Sequence, residues 1–479
     1  MTKTFKSYGL SKEILKAMTL LGFDEPTPVQ QAVLPLALEG KDLYVKSPTG
    51  SGKTAAFAIP ICEKVDWQEL RPQALIISPT RELAMQIKED CFYIGRLKRI
   101  KVVTLYGKAS FIRQEQELKQ KTHLVVGTPG RILDHLTRGT FKVENIQYLV
   151  IDEADEMLKM GFMEQIIRIV EALPRQRQTL LFSATLKPDI DVFCKQYMNQ
   201  AKQVCIEHLT STLPAIDEVG YYTHVNDKLN LLMHVTKLEN PQACIIFCNT
   251  RQRVEYVNKA LYEAGYPCEA IHGDKEQEDR FKVMKDFRDG KFRYLVSTDV
   301  AARGIDIDHI DYVVNFDVPE HRESYVHRIG RTGRAGRKGK AITLISPSEQ
   351  DNLQMIEDYI ERKISILEIP QVENIAYLEQ QFKEKIQQRV IVGESKGEKL
   401  GVGIMKLHIN AGKKTKMRPV DIVGTLCNLP GISAQDIGII VIQDISTFVE
   451  IMNDKGEMVY QMLQTTPIKG RMRRVSKVE

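Results

Sequence analysis

Short runs of consecutive apolar residues alternate with longer amphipathic stretches over the first three quarters of this 479-residue chain. Continuous apolar runs are typical of strands that are buried on both faces of a parallel sheet. Because helical patterns separate the runs, the sequence predicts an α/β architecture. The predicted strands form two series, 43–46, 74–78, 124–128, 148–152 and 179–183, then 243–248, 294–298, 312–316 and 341–346.

The two series of strands are separated by the segment 207–214, which carries no motif and is interpreted as a linker between two α/β domains. A chain of this length exceeds what one hydrophobic core usually supports. After residue 368 the sequence becomes rich in Gln, Glu and Lys, which is typical of a helix that continues into a flexible connection. The expected division is domain 1 at 1–207, domain 2 at 208–368, a linker at 369–403 and a C-terminal module at 404–479.

The C-terminal module shows a β-α-β-β-α-β pattern. Pro419 is a plausible first residue of its first helix, because its missing N–H has no partner there in any case. The pattern predicts a small α+β ferredoxin-like unit, the arrangement that RNA-recognition (RRM-like) modules and many other proteins use. The predicted elements are strands at 405–410, 437–443, 447–452 and 471–476, and helices at 419–428 and 455–463.

The composition, with 43% hydrophobic and 27% charged residues, is ordinary for a soluble globular protein. No apolar run approaches the roughly 20 residues that a membrane span needs, and the start lacks the apolar stretch of a signal peptide. We therefore expect a cytoplasmic protein with no membrane partner. The eight Cys are scattered without a CxxC pair, so we interpret them as buried reduced thiols rather than metal ligands or disulfides.

The positive charge is concentrated at the end of the chain. Residues 401–479 hold 11 Lys and Arg against 7 Asp and Glu, which accounts for four units of the net charge of +5. Such an asymmetry indicates a module that faces an anionic partner. On charge alone, a solvated basic surface without a partner is an equally good interpretation.

A glycine-rich loop follows the first predicted strand and reads Ser-Pro-Thr-Gly-Ser-Gly-Lys-Thr over 47–54. Backbone N–H groups in such a loop hold phosphate oxygens, and the helix that it opens adds its positive dipole end. We expect Lys53 to reach the β- and γ-phosphates and Thr54 to ligate Mg²⁺. Ser47 replaces the usual first Gly, yet the position between an apolar strand and a helix favours a phosphate loop over an ordinary turn.

Two carboxylates, Asp152 and Glu153, follow the apolar run 148–151 at the carboxyl end of a predicted strand. The carboxyl end of a strand is where α/β sheets place their ligands. We expect Asp152 to hold Mg²⁺ through water and Glu153 to polarise the attacking water. Taken alone, the pair could equally cap the helix that follows, since acidic residues favour first turns.

Domain 2 carries a basic stretch, 327–337, in which arginines recur every three residues between glycines. This spacing can present several guanidiniums to one polyanion. Arginines supplied from a facing domain would stabilise charge that develops on a γ-phosphate. The alternative is a basic surface loop that binds nucleic acid directly.

These motifs, in this order, closely resemble those of DEAD-box RNA helicases over roughly residues 5–360. The resemblance implies two tandem RecA-like parallel-sheet domains, ATP as the nucleotide and RNA as the partner. It also implies that Gln30 reads the adenine edge while an aromatic residue stacks on the base. The implied nucleotide-binding residues are Phe5, Phe23, Gln30, Ser47, Thr49, Gly50, Ser51, Gly52, Lys53, Thr54 and Asp306, and the implied catalytic residues are Lys53, Asp152, Glu153, His327, Arg331 and Arg334.

The same resemblance assigns residues to RNA binding and to coupling between the two sites. Ser183 and Thr185 match the motif that couples the nucleotide site to the RNA site. The family often has a Gly-Gly pair where this chain has Gly107 and Lys108, so we expect altered detail rather than lost RNA binding. The residues matching RNA-backbone motifs are Pro79, Thr80, Arg81, Thr128, Pro129, Gly130, Arg131, Thr250, Thr298 and Arg303.

The C-terminal module resembles the RNA-binding module of the DbpA branch of this family. That resemblance implies binding to 23S ribosomal RNA, at a hairpin near the peptidyl transferase centre, and a role in assembly of the large ribosomal subunit. The residues themselves show few aromatics where such modules stack bases: His408 and Ser446 replace two of them, and Phe448 is retained. We therefore expect folded RNA to bind basic edges and loops, through Lys413, Lys414, Lys416, Arg418, Arg471, Arg473 and Arg474.

Three alternatives stay open at this point. The module could be a ferredoxin-like protein-binding unit with ordinary surface lysines. The whole chain could be an ATP-switched RNA clamp or scaffold in which unwinding is incidental. It could also unwind DNA, since backbone gripping carries little sequence information. Because no hydrophobic helical seam is visible, we expect a monomer.

Overall fold

The structure is a computed structural model. It describes residues 4–48, 50–185, 187–206, 216–299, 310–333, 338–370, 375–388, 390 and 399–478. One compact unit contains Met1–Lys46, Gly52–Val204 and Glu394–Glu479, that is, most of domain 1 together with the C-terminal module. The second contains Ser47–Ser51 and Cys205–Gly393, which include domain 2. The predicted linker 207–214 lies outside the described residues. No helix among those described is long and apolar enough to cross a membrane.

The described part of domain 1 is built on a seven-stranded sheet with the order β3-β4-β2-β5-β6-β1-β7. Every pair among β1 to β6 is parallel. The strands are β1 Leu43–Lys46, β2 Ala74–Ile77, β3 Val102–Leu105, β4 Leu124–Gly127, β5 Tyr148–Ile151, β6 Gln178–Ser183 and β7 Lys202–Cys205. The helices are α1 Lys12–Leu20, α2 Pro28–Leu38, α3 Lys53–Lys64, α4 Arg81–Ile94, α5 Phe111–Leu118, α6 Pro129–Thr137, α7 Ala154–Lys159, α8 Met163–Ala172 and α9 Pro188–Tyr197, with 3-10 turns at Phe5–Tyr8 and Arg96–Lys98.

The strand order places the ends of β5, β6 and β1 side by side. Lys46, the last residue of β1, lies opposite Ser183, the last residue of β6. Ile151 at the end of β5 lies opposite Leu181. The segments that follow these three strands therefore begin at one edge of the sheet, which is where α/β folds bind ligands.

Domain 2 repeats this plan with a described seven-stranded sheet of order β10-β11-β9-β12-β13-β8-β14. All of its strand pairs are parallel. Its strands are β8 Ile216–Tyr222, β9 Cys244–Phe247, β10 Cys268–Ile271, β11 Tyr294–Ser297, β12 Tyr312–Asn315, β13 Gly339–Ile345 and β14 Ser365–Ile366. Its helices are α10 Lys228–Glu239, α11 Arg251–Glu263, α12 Gln277–Arg288, α13 Arg322–Ile329, α14 Gln350–Ile360 and α15 Ile375–Gln387, with 3-10 turns at Val225–Asp227 and Pro347–Glu349.

Two antiparallel neighbours flank the first strand of the C-terminal module, whose described sheet has the order β16-β17-β15-β18. Its core is formed by side chains from one face of the sheet and from both helices, including Leu407, Val449 and Val459. The elements are β15 Met405–Ile409, α16 Pro419–Cys427, β16 Ile437–Ile442, β17 Thr447–Ile451, α17 Gly456–Leu463 and β18 Val475–Lys477, with 3-10 turns at Lys399–Gly401, Lys413–Thr415 and Ala434–Asp436. The fold class predicted from the sequence, two parallel-sheet α/β domains followed by a small α+β unit, is confirmed.

Several details differ from the sequence-based prediction, which did not include strands β3, β7, β8, β10 and β14. The last strand begins at Val475 rather than 471, because Arg471 instead forms an isolated bridge with Ile468. Cys205 and Cys427 are exposed, whereas the other six Cys are buried as predicted. Cys205 ends the solvent-exposed strand β7, and Cys427 is the last residue of α16.

Replacement of two glycines of the C-terminal module by alanine should change its stability in opposite directions: Gly412 lies in the loop before α16, and Gly424 lies within that helix. A Cβ at Gly412 would lie 2.6 Å from Ser446 N and closer still to Gln443 O, so Gly412→Ala should destabilise the module by about 1–3 kcal/mol. A Cβ at Gly424, inside α16, meets nothing within 4 Å, so Gly424→Ala should stabilise it by about 0.5–1 kcal/mol. Hydrogen exchange of the β15 and β17 amides in the full chain measures both, and equal effects of the two variants would contradict the structure.

Candidate nucleotide and RNA sites

The phosphate loop adopts a backbone that its glycines make accessible. Gly50 and Gly52 have φ of 77° and 90°, values that L side chains rarely adopt. Within the loop, Ser47 Oγ and Ser51 Oγ are 2.6 Å apart, and Ser51 Oγ donates to Pro48 O at 2.8 Å. Ser47, at the usual first glycine position, therefore braces the turn with its hydroxyl. The predicted contact residue Thr49 lies outside the described residues.

Gln30 holds the start of the loop helix, a role that the sequence did not reveal. Its Nε2 donates to Gly52 O at 3.2 Å, and its Oε1 accepts from Thr27 N at 3.0 Å. A Cβ on Gly52 would lie 2.7 Å from Gln30 Nε2, so only glycine permits this approach. Phe5 is buried and Phe23 is half-buried. The predicted contacts of Gln30 and of an aromatic residue with adenine stay predictions.

Asp152 and Lys53 form the charged centre of domain 1. Both are buried, and Lys53 is the first residue of α3. Burial raises the pKa of the Asp152 carboxyl, while the Lys53 ammonium and the Glu153 backbone N–H act in the opposite direction. A carboxylate that burial disfavours in this way gains from a divalent cation, so the donor set fits Mg²⁺ held by Asp152 and Thr54.

Glu153 does not act as a helix cap through its side chain, the alternative that the sequence left open. It occupies the N-cap position of α7, but its side chain makes no capping hydrogen bond. Its backbone is left-handed, with φ of 53°. Such a conformation is costly for a non-glycine residue and often occurs at functional sites.

A short hydrogen-bond chain joins the residues after β5 to those after β6. Asp155 Oδ2 accepts from Thr185 Oγ1 at 3.1 Å, and its Oδ1 accepts from Ala184 N at 3.4 Å. Ser183 Oγ in turn donates to Thr185 O at 2.6 Å. Ser183 and Thr185, predicted as coupling residues, are thus fixed through Asp155, whose acceptor role the sequence analysis did not assign.

The predicted RNA motifs of domain 1 lie at the starts of α4 and α6. Thr80 caps α4 by accepting from Leu83 N at 3.2 Å, and α6 begins at Pro129 directly after Thr128. Arg131 donates to Ala109 O at 3.0 Å and to Gln114 Oε1 at 2.9 Å. Its guanidinium therefore holds the loop that carries Lys108. The direct RNA contacts predicted for Pro79, Thr80, Arg81, Thr128, Pro129, Gly130 and Arg131 stay predictions.

Lys108 shows why related sequences often place glycine at this position. Its φ is 58°, in the left-handed region that favours glycine. The preceding Gly107 lies beside Arg81, since a Cβ there would be 3.6 Å from Arg81 Nη2. The chain thus keeps the glycine-type backbone at position 108 and adds an ammonium group next to a residue predicted to hold RNA.

Arg328, one of the arginines of 327–337, has a structural role within domain 2. It is 1% exposed, and its guanidinium pairs with Asp299 at 2.5 and 2.9 Å. It also donates to Asn249 Oδ1 at 2.8 Å and to Asp317 O at 2.8 Å. Arg328 therefore ties together the segments after β9, β11 and β12. Helical periodicity could have revealed this, because Arg328 shares the buried face of α13 with Tyr325 and Ile329.

The remaining predicted residues of domain 2 are only partly described. Thr250 caps α11 by accepting from Arg253 N at 3.2 Å, and Thr298 is half-buried after β11. Arg331 is 7% exposed and donates to the backbone oxygen of His327 at 3.2 Å. Arg303, Asp306 and Arg334 lie outside the described residues, so their predicted roles stay predictions.

The open sheet face of the C-terminal module is polar where base-stacking aromatics are usual. His408 lies between Ser446 Oγ at 2.9 Å and Ser476 Oγ at 3.3 Å, and 5.1 Å from the Phe448 ring. By contrast, the predicted basic candidates are on the surface: Lys413, Lys414, Lys416, Arg418, Arg471 and Arg474 are exposed, and Arg473 is half-exposed. The geometry agrees with RNA binding by loops and edges.

With these sites in place, sequence comparison defines the class of protein. Residues 27–193 match the DEAD/DEAH box helicase family, residues 225–336 the helicase conserved C-terminal domain, and residues 406–477 the DbpA RNA binding domain. The chain belongs to the DEAD/DEAH box helicases, and a helicase of this class uses ATP and acts on RNA.

Comparison with two similar proteins shows which type of RNA helicase this chain is. The chain is 51% identical over 473 residues to the ATP-dependent RNA helicase DbpA of Bacillus subtilis (strain 168), covering 99% of both chains. It is 44% identical over 367 residues to the DEAD-box ATP-dependent RNA helicase CshA of Geobacillus kaustophilus (strain HTA426), covering 77% of this chain and 79% of that one. The protein is therefore an ATP-dependent RNA helicase of the DbpA type, with its RNA-binding domain at the C-terminus.

Solved structures agree with this assignment. Dbp5 of S. cerevisiae, in a structure bound to RNA and ADP BeF3, is 30% identical and superposes with a TM-score of 0.72 over 80% of this chain and all of that one. Mss116p, in a structure bound to ssRNA and AMP-PNP, is 29% identical with a TM-score of 0.69 over 81% of this chain and 83% of that one. Both similarities cover about four fifths of this chain.

The different environments of two arginines predict different consequences of their removal. Arg328→Ala should destabilise domain 2 by about 3–5 kcal/mol, because it leaves Asp299 without its buried partner. Arg331→Ala should preserve the fold and lower the ATPase rate by about 10²–10³-fold, if its guanidinium stabilises the γ-phosphate as the family resemblance implies. Hydrogen exchange of β9 and β12, measured beside steady-state hydrolysis, separates the two effects, and an active, stable Arg328→Ala variant would contradict the network.

Proposed function

We propose that this helicase remodels short duplexes of 23S ribosomal RNA, at a hairpin near the peptidyl transferase centre, during assembly of the large ribosomal subunit. The observation that carries the proposal is the C-terminal module, which matches the DbpA RNA binding domain over 406–477 and exposes a basic loop at Lys413–Arg418. Its sheet face offers a hydrogen-bonded histidine instead of a run of stacking aromatics. Recognition of a folded RNA by charged loops fits these features better than single-strand stacking does.

In the proposed mechanism the module selects the RNA and the two helicase domains act on an adjacent duplex. Lys53 binds the β- and γ-phosphates, and Asp152 with Thr54 holds Mg²⁺, which supplies charge neutralisation at the phosphates. Glu153 orients the attacking water, and Arg331 with Arg334 stabilises the charge on the γ-phosphate. The Asp155–Thr185 hydrogen bond passes the state of the nucleotide site to the RNA motifs. We further propose that the protein is a cytoplasmic monomer.

Steady-state ATP hydrolysis tests the selection of RNA. The full chain should be stimulated strongly by a 23S fragment that contains the hairpin, and weakly by poly-uridine or by no RNA. Glu153→Gln should abolish the stimulated rate with RNA binding retained, because it removes the carboxylate that polarises water. Equal stimulation by every RNA would withdraw the ribosomal assignment, and stimulation without displacement of a short duplex would favour an ATP-switched clamp.

The basic loop can be tested apart from the catalytic site. Replacing Lys413, Lys414 and Lys416 together with Gln should remove the preference for the 23S fragment, while poly-uridine stimulation stays unchanged. Each lost phosphate contact should also reduce the salt dependence of binding by about one unit of slope. Lys259→Gln, at an exposed lysine of domain 2, is a control that should change neither quantity. A retained preference in the triple variant would place recognition elsewhere in the module.

A further inference from the structure

The C-terminal module contacts domain 1 through a nearly buried ion pair. Arg96 Nη1 lies 2.5 Å from Glu450 Oε2, and both side chains are 12% exposed. Nearby, Arg99 donates through Nη2 to Gln435 O at 2.8 Å. Arg96 and Arg99 immediately precede β3, whereas the phosphate loop follows the end of β1. The contact therefore lies at the edge of the parallel sheet opposite the nucleotide loop.

Glu450 belongs to the open sheet face of the module. Along β17, Val449 and Ile451 are buried in the module core, so Phe448 and Glu450 point to the other face. RNA-recognition modules commonly use this face to stack bases. Here a carboxylate stands on it and accepts from Arg96 and from Ile439 N at 3.2 Å. Because a carboxylate buried to this extent needs a cationic partner, the Glu450 end of the face suits domain 1 better than RNA.

An apolar residue marks a second point of attachment. The 3-10 turn at Lys399–Gly401, just before the module, packs against α1 of domain 1. Leu400 in this turn is 2% exposed. The module is thus attached to domain 1 at two places: through Leu400 in the turn before β15, and through the Arg96–Glu450 ion pair on its sheet face. Two separated attachments fix an orientation that a single surface contact would leave free.

We propose that domain 1 carries a docking surface for the C-terminal module, centred on the ion pair between Arg96 and Glu450 and completed by the buried side chain of Leu400. The docking surface does not depend on the proposed function, because its contacts join two parts of this chain and involve no RNA.

Energy transfer in the full chain measures docking directly. Trp67 is the only tryptophan in the sequence, and the Arg99 guanidinium that contacts the module lies 5.3 Å from its ring centroid. Cys427 is exposed in the module, so with Cys205→Ser it can carry the acceptor while six Cys remain buried. Arg96→Glu and Glu450→Arg should each lower transfer from Trp67, and the double variant Arg96→Glu/Glu450→Arg should restore it. Unchanged transfer in both single variants, or no restoration in the double variant, would overturn the docking surface.

Circular dichroism melting of each variant shows whether a lost signal reflects undocking or unfolding, and the double variant provides a folded reference.

Discussion

The nucleotide site depends on the adjacency of β5, β6 and β1 at the centre of the domain 1 sheet. Parallel pairing brings the ends of three strands to one edge, although they lie far apart in the sequence. From this edge the chain presents a phosphate loop, an acidic pair and a hydroxyl pair. The Asp155–Thr185 bond is possible only because β5 and β6 are neighbours. A change in structure at the end of β5 can therefore affect the end of β6 through one or two hydrogen bonds.

Domain 2 also has three adjacent strands whose following segments meet, but here a buried charged side chain holds those segments together. β11, β9 and β12 are consecutive neighbours, and the segments after them meet at the guanidinium of Arg328. A buried arginine with several acceptors is costly to desolvate, and its five donors in a planar fork can satisfy all of them at once. Lysine could not replace it, because a point charge cannot reach acceptors on several sides. The arginine-rich stretch thus contains Arg328, which stabilises the fold, and Arg331 and Arg334, which the family resemblance assigns to the nucleotide.

The sequence predicted many of the strands that are buried on both faces, as at Leu43–Lys46 and Tyr294–Ser297, but it did not predict β3, which is equally buried. It also did not predict β8 and β10, which are partly exposed, or β7 and β14, which are short, largely exposed and carry no apolar run. Linear motifs indicated Lys53, Asp152 and Ser183: Lys53 begins the helix that follows the phosphate loop, Asp152 directly follows β5, and Ser183 ends β6. The bond between Gln30 and Gly52 and the pairing of Arg328 with Asp299 join residues more than 20 positions apart, which periodicity and motifs do not connect.

The contact between module and domain 1 also lay beyond sequence reasoning, for a related reason. Arg96 and Glu450 each look like ordinary surface charges, and their significance arises from burial in the same place. An exposed pair of this kind would contribute little to stability. An intact pair that is nearly buried adds little net stability, because removing its charges from water costs free energy. Removing only one partner is strongly destabilising, since the other charge is then buried and unpaired. The pair therefore specifies an orientation more than it adds stability. That property suits a module that must present its basic loop at a defined place on the helicase core, because a wrongly placed module would leave a charge buried and unpaired.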